Sequence, residues 1–124
     1  GWGGRPAGGR MFYIDSFCVG VQYVRNWLWM LKLQGSDYET ALASVTMHEL
    51  GHTLGLFAFD GIDNETTRFP WNKGYYIWKN YESCMNYRYV YKLVDYSDGD
   101  DSDHDQNDWE VIRERLPRFQ GDWW

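Results

Sequence analysis

The residues best suited to chemistry in this 124-residue chain are His48-Glu49-Leu50-Gly51-His52-Thr53-Leu54-Gly55, which read H-E-x-x-H-x-x-G. Side chains four apart share one face of an α-helix, so both imidazoles can reach a single metal ion. Glu49 is one position along. It is poorly placed as a third ligand but well placed to take a proton from a water that the metal activates for attack on a carbonyl. Imidazole and carboxylate donors suit Zn²⁺ best, although they admit other divalent ions.

An element must hold these groups, and the flanking residues predict a helix over about residues 37–54. Ser36-Asp37-Tyr38-Glu39 has the S-x-x-E form of a capping box. Tyr38, Ala41, Leu42, Val45, Glu49 and His52 follow at spacings of three and four, an apolar stripe that runs into the candidate metal face. Gly55 falls where the helix should stop, because glycine enters the left-handed region without steric cost.

Further along, Ser83-Cys84-Met85-Asn86-Tyr87 reads S-x-M-x-Y. Together with H-E-x-x-H-x-x-G upstream, this resembles the metzincin metallopeptidases, in particular a small prokaryotic, archaeal-type form. The resemblance covers residues 36–57 and 83–87. It implies a Met-turn in which Met85 forms an apolar floor beneath the metal, and a Tyr87 hydroxyl that helps stabilise a developing oxyanion. It also implies a third ligand three residues after the glycine, but that position is Ala58, which cannot bind metal. Asp60 and Asp63, in Phe59-Asp60-Gly61-Ile62-Asp63-Asn64, are the nearest carboxylates and stand as equal candidates. Glu65 and Glu82 are the alternatives if the arrangement follows the gluzincins, whose third ligand is a downstream glutamate. The activity implied is zinc-dependent endopeptidase action on a protein or peptide, in a secreted or cell-surface setting. The rival class is a zinc-holding module that uses exposed aromatic rings to bind glycans or another protein.

The resemblance implies an α+β, zincin-like fold, with a small twisted sheet packed on the zinc helix, then the Met-turn and a C-terminal helix. Residues 11–15 and 18–24 supply candidate strands, being rich in aromatic and β-branched residues. Residues 25–34 fit either a helix or a strand. Asp108–Leu116 reads as the last helix, with Pro117 ending it. One domain over 1–124 is expected from the length. The chain begins Gly1-Trp2-Gly3-Gly4 without an initiator methionine, which implies a segment upstream, and only 36 residues precede the helix for a sheet.

The charge of −6 is local. Seven aspartates lie between Asp95 and Asp108 with no lysine or arginine, and elsewhere eleven acids face twelve bases. This balance argues against nucleic-acid binding, which needs a basic face. Asp101-x-Asp103-x-Asp105 offers hard oxygen ligands of the kind that hold Ca²⁺, with His104 as a neighbour; a solvated acidic loop is the other reading. No apolar run is long enough to span a membrane. Cys18 and Cys84 allow one disulfide; two free thiols are the alternative. Asn64-Glu65-Thr66 forms a glycosylation sequon. Trp71, Tyr75, Tyr76, Trp78 and Tyr81 cluster between the two motifs, either lining a substrate cleft or forming a satellite core.

Overall fold

The computed structural model describes residues 17–33, 35–100 and 103–121. Its longest element is a helix of sixteen residues, Tyr38–Thr53. Two short helices precede it, α1 (Val21–Asn26) and α2 (Leu28–Leu33), so the long helix is α3. A 3-10 turn at Glu65–Thr67, then α4 (Lys73–Ile77) and α5 (Asp108–Gly121), complete the order.

The sequence placed α3 to within a residue at each end but misassigned its cap. Asp37, not Ser36, is the N-cap, its carboxylate accepting from the Thr40 amide at 2.7 Å. Ser36 instead donates to the Tyr91 carbonyl and ties the helix start to a distant segment. At the other end Gly55 has φ 107°. Leu56 N–H returns to Gly51 O at 2.9 Å and Gly55 N–H to His52 O at 3.3 Å, the pair of bonds of a Schellman stop.

The expected sheet does not appear among the described residues. No strand occurs among them, and an isolated antiparallel bridge joins Phe59 to Ile62. The α+β, zincin-like expectation therefore gives way to a helical architecture with long irregular connections. Residues 11–15 lie outside the described residues. Most of the second candidate strand, 18–24, is helix α1, and the ambiguous 25–34 stretch carries α2. Composition misled here because β-branched and aromatic residues favour a pleated, half-buried surface only when a partner strand supplies one. Without it, Val24 is buried against Ala41 and Val45 of α3 and against Val90. At the C-terminus, Pro117 does not end α5, whose backbone stays helical to Gly121.

A second core lies beyond the end of α3, where Leu56, Ile62, Tyr81, Cys84, Met85, Tyr96 and Ile112 pack together. The turn Ser83–Asn86 is fully buried in it. Asp108, the first residue of α5, is also fully buried. Its carboxylate accepts from Tyr81 Oη, from Ser83 Oγ at 2.6 Å, and from Ser97 N–H and Gln106 Nε2 at 3.0 Å each. This one charge joins the turn, the acidic loop and α5. Arg115 of α5 reaches back to the Gly55 carbonyl, so the last helix is pinned to the end of α3.

Candidate metal centre

The buried stripe of α3 carries Ala41, Ser44, Val45, His48, Glu49, Gly51 and His52, so the motif faces inward. Each histidine is braced through Nδ1. His48 Nδ1 is 2.7 Å from the Cys84 carbonyl of the buried turn, and His52 Nδ1 is 2.7 Å from the Leu56 carbonyl just past the Schellman stop. A carbonyl only accepts, so both Nδ1 atoms carry hydrogen, which leaves each Nε2 a lone pair when the ring is neutral and an N–H donor when it is protonated. Carbonyl bracing of this kind is the usual outer support of a metal-binding histidine.

Both Nε2 atoms point at Asp63. His48 Nε2 is 2.9 Å from Oδ1 and His52 Nε2 is 3.2 Å from Oδ2. Lone pairs facing a carboxylate repel unless a proton or a cation lies between. Ligands bonded to zinc at about 2.0–2.1 Å in a tetrahedron sit about 3.3 Å apart, close to these separations. All three ligand atoms lie within 4.8 Å of one another. This buried group could therefore hold a metal ion. Asp63 reaches it because its backbone is left-handed, φ 57°, which turns the side chain back toward α3. Burial opposes ionisation of Asp63, but hydrogen bonds from His48 and His52 outweigh it and hold the carboxyl far below its usual range. Burial likewise opposes the His52 imidazolium, and Asp63 outweighs it and raises the value.

Glu49 completes the donor set in another way. It is only 4% exposed, and its Oε2 has no hydrogen-bond partner among the described residues. An orphaned, buried carboxylate oxygen calls for an explanation, and a water held against a metal would supply one. Burial pushes the Glu49 carboxyl above its ordinary value, although His48 and His52 pull the other way.

Met85 lies under the motif. A Cβ on Gly51 would come within 2.5 Å of Met85 Sδ, so the helix approaches the turn this closely only because residue 51 is glycine. Tyr87 stacks on His48, with ring centroids 5.8 Å apart at 24°. Burial, with Asp63 nearby, raises the Tyr87 phenol well above its ordinary value, so it stays protonated and able to donate.

Of the two equal candidates for third ligand, the structure brings only Asp63 to the histidines. Asp60 is exposed and contributes its backbone carbonyl to Asn64 Nδ2 at 2.8 Å. Glu65 pairs with Arg68, and Glu82 is exposed on the surface. No second converging group of metal-ligating side chains occurs among the described residues, so the calcium expectation gains no support there; Asp101 lies outside them. His104 packs edge-on against Trp78 at 5.0 Å. Cys18 and Cys84 are both free, the first exposed and the second buried, with burial pushing the Cys84 thiol up to about 12.

The aromatic cluster divides. Trp78 packs on Phe59 and Tyr81 as satellite core, while Trp71 and Tyr76 are exposed. The cavity beside the metal group, about 360 Å³, is walled instead by Tyr23, Arg68, Tyr87 and Tyr91, with His48 and Glu49 at its base. Sequence reasoning missed Tyr23, Arg68 and Tyr91, which carry no spacing signal and converge only through the fold.

Comparison with family models, with characterised proteins and with solved structures gives no match. Among the described residues, no helix is long and apolar enough to cross a membrane.

Proposed function

We propose that this chain is a zinc-dependent endopeptidase. The observation that carries the reading is Glu49 Oε2, buried and without a partner among the described residues, beside three converging ligand atoms and an open cavity. His48, His52 and Asp63 would hold the ion. Bound Zn²⁺ would supply Lewis-acid polarisation of the scissile carbonyl and lower the pKa of the attacking water. Glu49 takes the proton from that water and hands it to the leaving amine; its raised affinity for a proton suits both transfers. Tyr87, stacked on His48 and held protonated, donates a hydrogen bond to the carbonyl oxygen as charge develops on it. The Met85 floor beneath Gly51 is in keeping with the metzincin resemblance.

A metal-holding recognition module is the second reading. It is favoured by Trp71, 75% exposed and stacked on Phe69 at 4.5 Å in the manner of a platform for a sugar ring. Zinc content and hydrolysis of casein, with and without chelator, separate the two. One zinc per chain with chelator-sensitive cleavage that Glu49→Gln abolishes is expected. Bound zinc with no cleavage would replace the enzyme reading with the module.

A further inference from the structure

A second cavity of about 240 Å³ adjoins the first, walled by Trp27, Met30 and Phe69. The two share Tyr23, Glu65, Arg68 and Tyr91 as common walls, so they form one trough leading away from the metal group. Among the described residues, Arg68 is the one cation lining either cavity. It sits at the waist between them, its side chain 23% exposed. Its guanidinium lies 4.2 Å from the centre of the Tyr87 ring, and that ring is stacked on His48, which fixes the charge relative to the metal ligands.

Tyr91 also hydrogen-bonds the Arg68 side chain, and the carboxylate partner of this cation, Glu65, is easily displaced. Glu65 takes Nε at 3.0 Å and Nη2 at 3.3 Å, leaving Nη1 out of the pair. Its own side chain is 74% exposed, and an exposed ion pair of this kind adds little stability. A carboxylate arriving along the trough would meet a half-buried, oriented guanidinium, whose planar fork suits that group. Between aromatic walls such a contact is less screened than it would be on the open surface.

We propose that Arg68 is a specificity-determining residue that binds a carboxylate of the peptide lying in this trough. The two ring contacts put the guanidinium at most about 10 Å from the His48 ring, a distance that two or three residues of extended peptide span. The carboxylate is therefore either an acidic side chain near the scissile bond or the terminus of a short peptide. This inference rests on the peptidase reading for its substrate.

The test measures binding, so that it does not depend on turnover. Zinc-loaded Glu49→Gln protein is titrated by calorimetry with matched peptides that carry Glu or Gln at one position, each with a free or an amidated C-terminus. The peptide with a carboxylate at the right place is expected to bind about tenfold more tightly than its amide partner. Preference for Glu over Gln assigns the side chain, and preference for the free over the amidated end assigns the terminus. Adding Arg68→Gln should erase that preference while leaving the amide peptides within about twofold. Adding Glu65→Gln, at an exposed position that the fold does not need, should enlarge it by removing the competing carboxylate. Equal affinity for all four peptides, no binding of any of them, or a preference that survives Arg68→Gln would overturn the assignment. Acid-selective binding without cleavage by the wild-type chain would sink the peptidase reading but keep the carboxylate site. Cleavage without acid-selective binding would do the reverse.

Discussion

Asp63 is the residue whose removal most directly tests the metal centre. It meets both histidines, at 2.9 and 3.2 Å, while Asp60, three residues earlier, meets neither. Structural zinc sites with four ligands gain about 10–16 kcal/mol in total, so one ligand carries about 3 kcal/mol, near a hundredfold in Kd. Asp63→Ala should weaken zinc by at least that factor. It also places alanine in a left-handed conformation, at a cost of about 1–2 kcal/mol to the fold. Asp63→Asn separates the two effects, because asparagine tolerates that conformation and keeps an oxygen but loses the charge. It should fold normally and bind zinc about ten- to a hundredfold more weakly. Asp60→Ala should bind within about twofold of wild type, because the carboxylate is exposed and only the backbone carbonyl is used. The assay is competition against a chromophoric chelator, with a thermal melt of each metal-free variant to confirm folding. Wild-type affinity in a folded Asp63→Ala, or a large loss in Asp60→Ala, would refute the ligand assignment.

Other expectations follow from the same geometry. Glu49→Gln should leave zinc content unchanged and lower kcat by about 10²–10⁴-fold, read from peptide hydrolysis; near-wild-type turnover would remove Glu49 as the base. Burial raises the Glu49 pKa in the folded, metal-free protein, so its stability contribution is present below the ordinary glutamate range and lost as pH rises through the folded value. The metal-free Glu49→Gln variant should therefore melt higher than metal-free wild type near neutral pH, by a few degrees, with the gap closing below about pH 4. Melting curves at the two pH values check this, and a gap that widens on acidification would contradict it. Gly51→Ala should destabilise by about 1–3 kcal/mol in denaturant unfolding, because its Cβ would meet Met85 Sδ at 2.5 Å, and adding Met85→Ala should relieve that clash without a further loss of the same size. Asp108→Ala strands several buried donors and should cost on the order of 4 kcal/mol in denaturant unfolding, with no direct contact to the metal group.

What was legible in the sequence is what local spacing encodes. The i, i+4 histidines, the stop at Gly55 and the helix between Ser36 and Gly55 are all governed by interactions within a few residues. The floor beneath the motif was legible through the order of the two motifs. The choice between Asp60 and Asp63 was not, because it depends on one left-handed residue in an irregular loop. Arg68 and Tyr91 converge with Tyr23 across more than forty residues, and nothing in their neighbours announces it. The sheet failed for a related reason: strand propensity describes a surface that a partner must complete, and Val24 found its burial on α3 instead. Pro117 shows the limit of a single-residue stop signal, since α5 runs through it to Gly121.

The two braces on the histidines differ in how far apart in sequence they reach. His52 is held by a carbonyl four residues on, so its orientation arrives as soon as α3 and its stop have formed. Asp63 is fifteen residues from His48, and the carbonyl that orients His48 is thirty-six away. Closing those loops costs chain entropy that an isolated helix does not meet. A peptide spanning α3 alone should therefore bind zinc weakly, and the ion should favour chains in which residues 48–84 have already closed. Metal occupancy then reports on folding: an excess of zinc at a hundred times its Kd would add about 2.7 kcal/mol to the native state, and chelation would loosen the turn at Cys84 together with the site it supports.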